Sequence, residues 1–105
     1  MKLIEEIKLS LRVLDDEFTP EIAGLVDACY ADLRTAGVRI AKKHRENPHP
    51  LLKQAATLYA KAHFGADAAA DRYLRYYEGI KIVLSLAAVF TGKDEKDEKD
   101  EDENV

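Results

Sequence analysis

A chain of 105 residues, 47% hydrophobic and 34% charged, has the material for one folded domain and little more. Its formal net charge of −4 excludes the strongly basic footprint of a protein that grips nucleic acid by its phosphates. A single cysteine, Cys29, excludes an intrachain disulfide and makes a reducing compartment the simpler setting.

Ile4, Ile7, Leu11 and Leu14 recur at spacings of three, four and three, which predicts a first helix with one apolar face. The stretch from Ile7 to Val13 also alternates with Lys8, Ser10 and Arg12, as a strand would. Helix is preferred because Leu, Glu and Lys dominate and the stripe begins earlier. Glu5 and Glu6 stand where a secretory signal needs its apolar run, so synthesis in the cytoplasm is expected. Asp15, Asp16 and Glu17 then break the pattern as a solvated connection. A second helix follows from Thr19 as its cap, Pro20 at the first helical position and Glu21 beside the positive end of the dipole. Ile22, Leu25, Val26, Cys29 and Leu33 form its buried stripe, with Tyr30 at the edge, and Gly37 suits a left-handed terminator. Val38 and Ile40 flank Arg39 in an alternating pair that fits a short extended segment.

Pro48 and Pro50 favour an extended loop over residues 41–50, after which Pro50 opens a third helix. Leu51, Ala55, Leu58 and Ala62 are its predicted inner face, Tyr59 lies beside Leu58, and Gly65 ends it. A fourth helix begins near Asp67 after a very short turn, so helices three and four form an antiparallel hairpin. Its first turns carry an aromatic stripe, Tyr73, Tyr76 and Tyr77, with Arg72 and Arg75 between them. From Ile80 to about Phe90 it is apolar on nearly every side, and a helix hydrophobic all round has to be buried all round. That stretch includes Lys81 and falls far short of the roughly 20 residues that span a bilayer. A chain this small buries only about 60–65% of its unfolded surface and has little other material to cover that run, which points to a partner. Arg72, Tyr73, Arg75, Tyr76, Tyr77, Ile80, Val83, Leu84 and Ala87 are therefore the predicted interface; tyrosine with arginine is also the composition of binding hot spots. Gly79 interrupts this helix at a cost of about 1 kcal/mol relative to Ala, which a close helix–helix contact or a bend accounts for.

The acidity of the chain is concentrated in residues 93–105, where three lysines face eight aspartates and glutamates. With no apolar residue before Val105, this segment cannot bury enough surface to offset its ordering entropy. The expected organisation is a helical domain at 1–92 and a disordered acidic tail at 93–105. Nothing in the body is arranged for catalysis. His44, His49 and His63 do not share a helix face, Cys29 sits in an apolar stripe, and Glu5, Glu6, Asp15 and Asp16 read as solvated surface. No phosphate loop, nucleophile elbow or zinc pattern occurs, so no metal and no cofactor is predicted. The basic run Arg39, Lys42, Lys43 and Arg45 is diluted by Glu46 and reads as a solvated loop.

Four blocks carry a resemblance to a known family. They are Leu9-Ser10-Leu11-Arg12; Ile22-Ala23-Gly24-Leu25-Val26-Asp27-Ala28-Cys29-Tyr30-Ala31-Asp32-Leu33 with Ala36-Gly37-Val38; Pro50 to Gly65; and Tyr76-Tyr77-Glu78-Gly79-Ile80-Lys81-Ile82-Val83-Leu84-Ser85-Leu86. In that order and spacing the chain, over about residues 3–90, resembles the small head–tail connector proteins of tailed bacteriophages, also known as phage DNA-packaging proteins. The resemblance implies an all-α, non-enzymatic structural subunit of the virion, assembled in the host cytoplasm, that forms a ring of twelve on the portal protein. Such a ring closes the DNA-filled head and offers a platform to the next connector or tail-completion protein, with the packaged DNA passing through without sequence-specific contact. The acidic tail is not a hallmark of that family; a solubilising role ranks before repelling DNA phosphates or docking on a basic neighbour. The alternative is a small DNA-binding regulator using helices three and four as a helix-turn-helix, with Lys53, Gln54, Lys61 and His63 as a weak recognition face beside an unusually tight turn at Gly65-Ala66.

Overall fold

Among the described residues four helices follow one another: α1 (Leu3–Leu11), α2 (Thr19–Thr35), α3 (Pro50–His63) and α4 (Ala70–Leu86). They are seen in a computed structural model that describes residues 2–41, 48–65 and 68–87. A single 3-10 turn, Asp16–Phe18, is the other regular element among the described residues, and the fold is all-α. The acidic tail and the run of Lys42, Lys43, His44 and Arg45 lie outside the described residues. The last helix is shorter than the stretch from near Asp67 to about Phe90 that the sequence suggests: it starts at Ala70 and stops at Leu86, because Ala87 turns to an extended conformation.

The arrangement is organised around α3, on which α1, α2 and α4 all pack. Its pairing with α4 is antiparallel. The Tyr59 and Tyr77 rings meet edge to face at 5.2 Å, and the Lys61 ammonium lies 5.5 Å over the Tyr73 ring, so later residues of one helix meet earlier residues of the other. Ile7, Ile22, Cys29, Leu33, Leu52 and Leu84 are among the side chains wholly shielded in the common core.

The first helix is shorter than its apolar period predicts. Arg12 adopts a left-handed conformation, φ 62°, and the N–H groups of Arg12 and Val13 close back on the carbonyls of Leu9 and Lys8. This terminates the helix at Leu11 and leaves Leu14 85% exposed instead of on the buried stripe. Lys8, itself buried, reaches across to the next segment. Its ammonium donates to Asp16 at 2.6 Å and to the Thr19 hydroxyl at 3.2 Å. Thr19 is thereby engaged by Lys8 and does not cap α2, which starts directly from the 3-10 turn with Phe18 at the cap position. Pro20 does occupy the first turn.

In α2 the predicted stripe is buried at Ile22, Val26, Cys29 and Leu33, and Leu25 is half-buried. Tyr30 is in the core, not at the edge. Gly37 takes φ 95°, as its terminating role requires, and Val38 and Ile40 are buried without forming a strand. The buried face of α3 is Leu52, Ala55, Ala56 and Ala60, whereas Leu51, Leu58 and Ala62 are only half-buried. A central helix packed by three neighbours turns its smallest residues to the closest approaches, so the largest apolar side chains mislead about its inner face.

Leu84 and Leu86 sit two residues apart on α4 and belong to different environments, one buried and one 77% exposed. Leu84→Ala is expected to destabilise the monomer by about 2–5 kcal/mol in urea unfolding. Leu86→Ala should leave it within about 0.5 kcal/mol of the parent.

Candidate functional site: the outer face of the last helix

Which side of α4 faces outward is decided by a buried anchor. Tyr77 is 1% exposed, and its hydroxyl donates to an Asp32 carboxylate oxygen on α2 at 2.6 Å. The Lys81 ammonium donates to the same oxygen at 3.0 Å, pairs with Glu78 at 3.0 Å and lies 5.3 Å over the Tyr77 ring. The Cys29 thiol completes the group, 3.8 Å from the Tyr77 oxygen. The Tyr77 hydrogen bond, aided by Lys81, holds the Asp32 carboxyl below its ordinary value. Burial, reinforced by Asp32, raises that of Tyr77. Burial also pushes the Cys29 thiol up to about 12, so it rests as an inert thiol at neutral pH.

With Tyr77 and Leu84 turned inward, the opposite side of the helix is Arg72, Arg75, Tyr76, Gly79, Ile82, Val83 and Leu86, all exposed. These positions follow the i, i+3, i+4, i+7 spacing of a single helix face. The N-terminal half of the face is cationic and the C-terminal half apolar. Tyr76, Ile82 and Val83 each expose more than half their surface, at 55%, 60% and 53%. The surface that the apolar run needs covered is therefore bare on the subunit itself.

The nine residues expected at an interface divide between two sides of the helix. Arg72, Arg75, Tyr76 and Val83 are on the outer face; Tyr73, Ile80 and Ala87 are half-buried; Tyr77 and Leu84 belong to the core. The three tyrosines are consequently not one stripe, since Tyr76 points away from Tyr77. Ile82, Leu86 and Gly79, which are not among the nine, complete the outer face. The signal for them was available: counting the helical period from Arg72 instead of Tyr73 selects them all. Gly79 has no intramolecular contact to serve, because a Cβ built there meets no atom within 4 Å.

Other candidate chemistry is sparse. An open cleft of about 570 Å³ between the end of α1 and the α3–α4 turn is lined by Arg12, Lys61, Phe64 and Tyr73, which supply cations and aromatic surface. Among the described residues no three His, Cys, Asp or Glu side chains are grouped to hold a metal ion, and no helix is long and apolar enough to cross a membrane.

An all-α subunit whose last helix presents a contiguous uncovered face has the form of an interaction subunit. The comparison with protein families says which kind. A family model described as phage connector protein matches residues 3–89, and the chain belongs to that family. Comparisons with curated proteins and with solved structures find no match.

Removing the anchor hydroxyl with Tyr77→Phe is expected to cost about 1–2 kcal/mol at neutral pH. Because the folded Asp32 carboxyl lies below its ordinary 3.8, the stabilisation it provides is complete above that value and disappears as pH falls through the lower folded value. The stability gap between parent and variant should accordingly narrow below about pH 4 in pH-resolved denaturant titrations. Gly79→Ala should raise monomer stability by about 0.5–1 kcal/mol, since it improves helix propensity and meets no neighbour.

Proposed function

We propose that this phage connector is a structural subunit of the virion neck that forms a ring on the portal protein. The ring closes the packaged head and serves as the platform for the next connector or the tail-completion protein. It works by contact and not by catalysis, needs no cofactor, and lets DNA pass without reading its sequence. Assembly takes place in the host cytoplasm, and residues 93–105 serve to keep the body at 1–92 soluble. The observation that carries this reading is the uncovered outer face of α4 in a chain matched to the connector family over its helical body. A surface of that character is stable in an assembly and a liability in a free monomer.

The regulator reading has less support. The helix it would use, α3, is the one the others pack on, Lys53 is paired with Glu6 at 3.3 Å, and Lys61 lies over Tyr73. A helix so enclosed is poorly placed to enter a major groove.

The test is a double substitution, Ile82→Asp with Leu86→Asp, in the full chain mixed with the portal protein of the same phage. Circular dichroism should show parental helix content, because both positions are exposed. Electron microscopy should show rings on portals with the parent protein and bare portals with the variant. Parental occupancy by the variant would remove α4 from the assembly surface, and absence of rings with the parent would remove the ring.

A further inference from the structure

A ring of identical subunits is closed by two different surfaces, one on each side of every copy. The outer face of α4 is one; resting on the ring reading above, the question is what it meets. A second copy of the same face is a poor match. Laid antiparallel about Gly79, it would set Arg72 and Arg75 against Leu86 and Val83. Laid parallel, it would set arginines against arginines. Neither arrangement compensates the cations.

A second apolar patch with the opposite charge lies elsewhere on the fold. At the corner between α1 and α2, Leu14 is 85% and Phe18 38% exposed. Around them stand Asp15, Glu17 and Glu21, all exposed. Lys8 is committed to Asp16, and neither Glu17 nor Glu21 has an ion-pair partner among the described residues. The corner is held in shape by its own contacts: the Asp15 carboxylate accepts from the Glu17 N–H at 2.9 Å, and Phe18 packs edge to face on Phe64 at 5.6 Å. On α4, Gly79 with Ile82, Val83 and Leu86 makes the four-cornered hole, i, i+3, i+4, i+7, into which a side chain of a facing element inserts. The absence of a Cβ at Gly79 leaves that hole open.

We infer that the outer face of α4 docks on the α1–α2 corner of a neighbouring copy of this chain. Leu14 enters the apolar half of the helix face, the exposed part of the Phe18 ring rests beside it, and Glu17 and Glu21 lie against Arg72 and Arg75. The contact is head-to-tail, so each copy offers α4 to one neighbour and its corner to the other. It also assigns Gly79 a role that nothing within the subunit explains.

Charge reversal tests the pairing in the full chain, by sedimentation velocity alone and with portal. Arg72→Glu with Arg75→Glu, and separately Glu17→Arg with Glu21→Arg, should each weaken assembly by about tenfold or more, because each sets like charges face to face. The loss should shrink as salt is raised. Mixing the two variants should restore assembly, since one junction is then parental and the other reversed on both sides. Circular dichroism monitors folding, and Glu17→Gln with Glu21→Gln repeats the corner test without placing cations at the start of α2. If the parent assembles but corner substitutions leave it unchanged, or the mixture fails to recover, this pairing is wrong and the ring reading stands. If the parent assembles neither alone nor on portal, both fall together.

Discussion

The rotation of α4 about its own axis is the constraint on which the surface of this protein depends. One hydrogen bond does much to set it: the Tyr77 hydroxyl on an Asp32 carboxylate, with Lys81 on the same oxygen. Tyr77 and Leu84 are seven residues apart, two turns along one side of the helix, and both are buried. Once they point inward, helical geometry alone turns Arg72, Tyr76, Ile82 and Leu86 outward. A slip of one residue would bury the charged positions and expose the anchor. The polar group is thus a register device, worth more for the orientation it selects than for the energy of a partly solvated ion pair.

The helical content, the antiparallel hairpin and the terminating glycines were legible in the sequence because each is written in local signals. Gly37 and Gly65 take positive φ at the ends of α2 and α3, and Pro20 and Pro50 open those helices. Faces were less legible than elements. On α3 the leucines suggest an inner face through Leu51 and Leu58, while the alanines at Ala55, Ala56 and Ala60 hold the close approaches. On α1 nothing in the apolar period announces that Arg12 will turn left-handed, because that conformation is favoured by the chain reversal into the Lys8–Asp16 contact.

The candidate site shows the same division. The hydrophobic run of the last helix is plain in the sequence, and over its described residues the fold leaves Ile82, Val83 and Leu86 bare. Which of its residues are bare was not legible, because Tyr77 looks like Tyr76 until Asp32 on another helix is seen to bind it. The acidic corner was missed for a related reason. Asp15, Asp16 and Glu17 are uniform in the sequence, and only the fold separates Asp16, bound by Lys8, from its two neighbours.

The alanines at the centre of the bundle have a mechanical consequence. Ala55, Ala56 and Ala60 have no side-chain rotamers, so burying them costs no side-chain entropy and leaves nothing to repack. The spine of the molecule is correspondingly stiff. Adjustment to a neighbour therefore falls to the periphery, to long exposed side chains such as Arg72, Arg75 and Glu17.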